Sequence, residues 1–205
     1  MKLKKGTKIT LLVIAAIAIL VAVIFLILQG TDKKTIEGAK VVNEIKEYGY
    51  TLKSSQTSQY KDLFQELEKV LASEEVDEEA YAKLVSQMFV MDFYTLDNKI
   101  AKTDIGGLDF VIDEEKEDFQ EKAMDTIYKY LESNIYGDRK QELPVVTKVN
   151  VGTIETTSFT YGKETDKKAY KIPVTIEYKK SLGYDTQGTI ILVHVGKKLV
   201  VAEWD

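Results

Sequence analysis

Cysteine is absent from the 205-residue chain. That excludes disulfides, thiolate nucleophiles and every cysteine-based metal site together. Histidine occurs once, as His194, so a multi-histidine metal centre is excluded and Ser-His-Asp chemistry has one residue to build on. No G-x-S-x-G elbow, Walker loop or G-x-G-x-x-G fingerprint appears. Internal repeats, low-complexity tracts and N-x-S/T glycosylation sites are missing as well. These absences lead to the expectation of a protein that is not an enzyme and uses no cofactor and no metal.

One long apolar run is present. Residues 9–28 are apolar except Thr10, and Lys2, Lys4, Lys5 and Lys8 precede them. Twenty helical residues span roughly 30 Å, the hydrocarbon thickness of a bilayer. A cleaved signal peptide is the competitor, but its apolar region is usually only about 7–15 residues. Leu28-Gln29-Gly30 also makes a poor cleavage site, so an uncleaved signal anchor is favoured. The basic flank keeps the short tail in the cytoplasm and exports the rest. Of 28 basic residues four precede the run, leaving 24 against 33 acidic ones beyond it, a net of −9. Such a domain repels phosphate backbones, so nucleic acid is not an expected partner. A lysine-flanked anchor without glycosylation sites points to a bacterial cell membrane.

Beyond the run, Ile36–Tyr48 reads as a modest membrane-proximal helix, although Gly38 weakens it by about 1 kcal/mol. Tyr60, Leu63, Phe64, Leu67, Val70 and Leu71 follow the helical period, with Ser58 as N-cap. Asp77 can cap a second helix whose stripe is Tyr81, Leu84, Val85, Met88 and Phe89. A third is expected after Asp113, with its face running from Phe119 to Ile135 and Gly137 as its stop. The period then becomes two: 145–161 reads as one long strand or two short ones, and 169–179, 189–195 and 199–204 as strands, with Pro173 at an edge or bulge. The acid runs EEVDEE and DEEKED read as solvated first turns of helices.

The expected fold class is therefore α+β: an N-terminal transmembrane helix, then three or four helices packed on a C-terminal curved antiparallel sheet. The expected organisation is a cytoplasmic tail (1–8), the signal anchor (9–28), a linker with a short helix (29–57) and an extracytoplasmic domain (58–205). That order of elements resembles the cone-shaped nuclear-transport-factor-2-like, or cystatin-like, fold. With the tail and span it also resembles the inner-membrane platform protein of type IV secretion and conjugation systems. The resemblance implies a non-enzymatic assembly component of the envelope that meets other envelope proteins or copies of itself. The bilayer would be a partner through residues 9–28. The alternative is a module binding a small ligand or peptide in a pocket between helices and sheet.

Three stretches are candidates for chemistry. MDFYTLDNKIAKTDIGGLDF, residues 91–110, holds Asp92, Asp97, Asp104 and Asp109. A calcium loop started at Asp92 puts Tyr94 and Leu96 at ligand positions, and one started at Asp97 puts Lys99 and Ala101 there. Packing and turn chemistry, with positive φ at Gly106-Gly107, accounts for more of these residues. His194 sits in an alternating strand and reads as a half-buried structural histidine. Among the twelve tyrosines, Tyr170, Tyr178 and Tyr184 with Trp204 form a candidate aromatic interface on the sheet. Tyr128 and Tyr130 with Trp204 are candidates to line the pocket.

Overall fold

The computed structural model describes residues 19–20 and 35–205. The chain divides into two units, Met1–Ile36 and Glu37–Asp205, and every named element lies in the second. The α+β class holds, but its leading transmembrane helix is corrected. Among the described residues no helix is long and apolar enough to cross a membrane. Of the expected span only Ile19 and Leu20 are described, both helical, and the rest lies outside the described residues. The longest described helix has 17 residues and directs its apolar side chains into the domain core.

That core begins with two helices. Helix α1 (Ser58–Leu71) buries Tyr60, Phe64, Leu67 and Leu71, the stripe its sequence period traces. Its N-cap is Thr57, one residue before the expected Ser58; the Thr57 hydroxyl accepts from the Tyr60 N–H at 3.2 Å. Helix α2 (Glu78–Tyr94) is capped as expected, with the Asp77 carboxylate accepting from the N–H groups of Glu79 and Ala80. It lies between α1 and strands of the main sheet, so it is buried nearly all round from Tyr81 to Tyr94.

Two expected helices differ. The stretch read as a membrane-proximal helix forms a hairpin, β1 (Val41–Ile45) and β2 (Tyr50–Lys53), turned at Gly49 with φ +68°. Val41, Val42 and Ile45 fit either period over so short a run, and the β-branched pair favours the strand. The third helix, α3 (Lys116–Asp125), stops ten residues short of Ile135. Its apolar pattern continues, but Tyr128 is drawn inward to donate to the Phe93 carbonyl (2.7 Å) and accept from the Gly106 N–H (3.0 Å). Tertiary hydrogen bonds outweigh local propensity there.

The main sheet is antiparallel: β3 (Val146–Val151), β4 (Glu155–Tyr161), β5 (Glu164–Tyr178), β6 (Gln187–Val195) and β7 (Lys198–Trp204). β5 is the spine. β3 pairs with its C-terminal half and β4 with its N-terminal half, end to end along one side, while β6 takes the other. The break between β3 and β4 faces Pro173, whose carbonyl accepts from the Gly152 N–H at 2.8 Å. A proline has no N–H to return there, so the ladder parts and the sheet curls. Pro173 thus marks a break inside the sheet. Ile172, Val174 and Ile176 of β5 face α2, and on the opposite face Ala169, Ile191, Val193 and Val200 pack with Ile112.

Candidate functional site

The connector after α2 is held by its own polar side chains. Asp92, buried at the end of α2, accepts from the Lys99 ammonium (2.6 Å), the Gln56 amide (3.0 Å) and the Gly107 N–H (2.7 Å). Burial alone would raise its pKa; the Lys99 charge and these hydrogen bonds outweigh that and hold it below the ordinary 3.8. Asp104 accepts from the Ile100 N–H, and Asp109 from the N–H and hydroxyl of Thr51. Gly107 takes φ +79°, and a side chain on Gly106 would put its Cβ 2.1 Å from the Asp92 carbonyl oxygen. Three of the four aspartates thus bind main-chain N–H groups or a neighbouring side chain; they fasten the connector. Among the described residues no group of three or more acids and histidines is placed to hold a metal.

That fastening positions a cleft of about 620 Å³. Its floor is aromatic. Phe93 and Tyr94 come from the last turn of α2, Phe119 from α3 and Trp204 from the end of β7. The rings interlock, Phe93 lying 5.2 Å from Phe119 and at 88° to Tyr94, with Tyr94 5.8 Å from Trp204. The indole N–H of Trp204 donates to the Tyr94 hydroxyl at 2.9 Å, which fixes the indole plane. Burial keeps the Tyr94 phenol above its ordinary pKa, so it stays protonated at neutral pH. Beneath the indole, Gly188 leaves the space: a Cβ there would lie 2.6 Å from a Trp204 ring carbon. Ile127, Val111 and Val201 complete the apolar wall, and exposed Glu115, Asp118, Lys122 and Glu203 stand at the mouth.

The candidate aromatic residues fall in different places. Trp204 lines the cleft. Tyr128 is wholly buried beside it, and its ring contacts Phe93 at 5.6 Å. Tyr130 is 77% exposed and lies under the Lys129 ammonium, away from the cleft. Tyr178 and Tyr184 pair at 6.3 Å, and Tyr178 donates to the Asp185 carbonyl. Tyr170 packs on the His194 ring at 5.6 Å. Tyr170, Tyr178, Tyr184 and Trp204 are half-buried against the main core. Phe93, Phe119 and Ile127, the partners of Trp204 in the cleft, were not singled out by sequence as site residues; each reads locally as helix stripe.

His194 has the carboxylate neighbours that the sequence does not reveal. β5 parts from β6 beyond Tyr170, and Asp166 then replaces the missing ladder bond: one oxygen accepts from the His194 N–H and lies 2.8 Å from Nδ1. Tyr161 donates to the His194 carbonyl at 3.0 Å. Glu78, in the first turn of α2, lies 3.5 Å from Nε2. Carboxylates therefore flank both ring nitrogens, and the cluster ties hairpin β4–β5 to β6 and α2.

Compared with known proteins, the chain matches no family model, and no curated protein or solved structure matches it significantly.

Proposed function

We propose that residues 37–205 form a non-enzymatic interaction domain that holds a partner segment or small ligand in the cleft lined by Trp204. The observation that carries this reading is the cleft itself. It is concave, carries four aromatic rings among its lining residues and has the volume that ligand sites commonly have, roughly 300–1,000 Å³. His194 favours the same reading, because Glu78 stands on the side of Nε2 where a nucleophile would have to be. A position outside the cytoplasm, as an assembly component of the bacterial envelope, rests on the sequence: the apolar run 9–28 behind four lysines and the acidic remainder. Helices followed by a curled antiparallel sheet are also the order of the nuclear-transport-factor-2-like platform proteins of secretion and conjugation systems, and this likeness supports such an apparatus as the setting.

The test is site-specific photo-cross-linking in intact cells of the native host. A cross-linking residue at Lys122, in the mouth of the cleft, is expected to give a discrete adduct that Phe119→Asp abolishes. The same residue at Glu66, on the exposed side of α1, is expected to give none. Equal yields from both positions, or none from Lys122, would remove the cleft as the binding element.

A further inference from the structure

The rim of the cleft differs in character from its floor. Glu115 and Asp118 stand on the α3 side and Glu203 on the β7 side, with Lys122 as the one basic side chain lining it among the described residues. All four are exposed, so none spends its charge on the core. Three carboxylates against one ammonium leave the mouth two charges negative, above a floor of ring faces. Aromatic faces attract organic cations, and nearby carboxylates add to that attraction.

The edge of β7 adds a direction. The sheet order ends at β7, and its edge is covered at Leu199 by the hydroxyls of Tyr50 and Tyr81 and at Val201 by a single parallel bridge to Val111. Asp205 exchanges both backbone hydrogen bonds with Thr189 of β6. By strand alternation the residue before it, Trp204, turns its own N–H and C=O to the open side. The cleft begins where the Val111 bridge leaves off, so it offers an extended chain main-chain partners beside the indole.

We propose that the cleft takes an extended peptide segment carrying a lysine or arginine next to an apolar residue. The apolar side chain rests on Trp204 and Phe119, and the cation sits among Glu115, Asp118 and Glu203. This rests on the interaction reading above and names its ligand class.

Trp204 is the only tryptophan in the chain, so its emission reports the cleft directly. The full chain would be titrated with three blocked peptides, Gly-Leu-Lys-Ile-Gly and its Glu and Gln analogues at the central position. The lysine peptide is expected to change the emission saturably and to bind about tenfold more tightly than the glutamate peptide. Raising the salt should narrow that ratio. The triple variant Glu115→Gln, Asp118→Asn, Glu203→Gln changes exposed side chains only, and it should bind the lysine and glutamine peptides equally. Equal binding of all three peptides by the unmodified protein would overturn the basic class while leaving the cleft a binding site. A saturable change with none of them would overturn the peptide proposal, and the Lys122 cross-link then decides separately whether the cleft binds anything.

Discussion

Exchanging Asp92 for asparagine leaves the Lys99 ammonium, with its side chain only 6% exposed, in the core without a counter-charge. Breaking a buried pair from one side commonly costs about 3–5 kcal/mol. Asp92→Asn is therefore expected to lower unfolding free energy by roughly 3 kcal/mol, read from urea unfolding with an unchanged m-value. The double variant Asp92→Asn, Lys99→Met should recover most of that loss, since an apolar replacement removes the stranded charge. A double variant no better than the single one would place the cost in the hydrogen bonds from Gln56 and Gly107. Gly188 is a second sensitive position, for steric reasons. A Cβ there meets the Trp204 ring at 2.6 Å and the Asp205 carbonyl oxygen at 2.7 Å. Gly188→Ala is expected to cost about 1–3 kcal/mol and to shift tryptophan emission to longer wavelength as the indole lifts from the floor. Unaltered emission would mean that β6 gives way and the indole stays.

Between elements, the contact of hairpin β4–β5 with β6 and α2 responds to acid. Burial alone would raise the pKa of Asp166. The His194 N–H, its ring and the Lys168 N–H outweigh burial and hold it below the ordinary 3.8. A carboxyl whose folded value is depressed adds stability that is present above the unfolded value and lost as pH falls through the folded one. Glu78 and Tyr170 face the same histidine, and Tyr161 holds its carbonyl. Stability is thus expected to decline from about pH 4 downward, with Asp92 contributing in the same window. Asp166→Asn should cost about 1–2 kcal/mol at neutral pH and make that decline shallower. Unfolding midpoints between pH 7 and pH 3 check it, and parallel curves for the two proteins would refute the assignment. The partners in this cluster also mark what sequence can carry. Asp77 as a cap, the stripes of α1 and α2 and the alternation of β5 are local patterns, and all were legible. Whether Val41 and Val42 belong to a strand depends on Tyr50 having a place in the core, which no local period encodes. Asp166 is 28 residues from His194 and Tyr94 is 110 from Trp204, so the cluster and the cleft appear only once the sheet has curled.

At the scale of the molecule, the chain's early and late segments are sewn together by tyrosine hydroxyls. Tyr50 of β2 donates to the Leu199 carbonyl at 2.6 Å, Tyr81 of α2 accepts from the Leu199 N–H at 2.9 Å, and the two hydroxyls lie 2.7 Å apart. Burial raises both phenols, Tyr81 to about 12, so they remain neutral and the bonds persist across the physiological range. Lys197 at the β6–β7 turn pairs with Glu47, and the Lys198 ammonium lies 4.8 Å above the Tyr50 ring. The hairpin β1–β2 is therefore part of the core, and the boundary of the folding unit lies before it, near residue 37. A fragment of residues 37–205 is expected to unfold in one transition whose calorimetric and van't Hoff enthalpies agree, about 120 kcal/mol near 60 °C for its length. A fragment of residues 55–205, close to the boundary expected from sequence, loses Tyr50 and Leu52 from the core and strands the Leu199 carbonyl. Losses of that kind sum to several kcal/mol, a large share of what a domain of this size has. It should therefore melt far lower or fail to fold. Equal melting of the two fragments would show that the hairpin only decorates the domain.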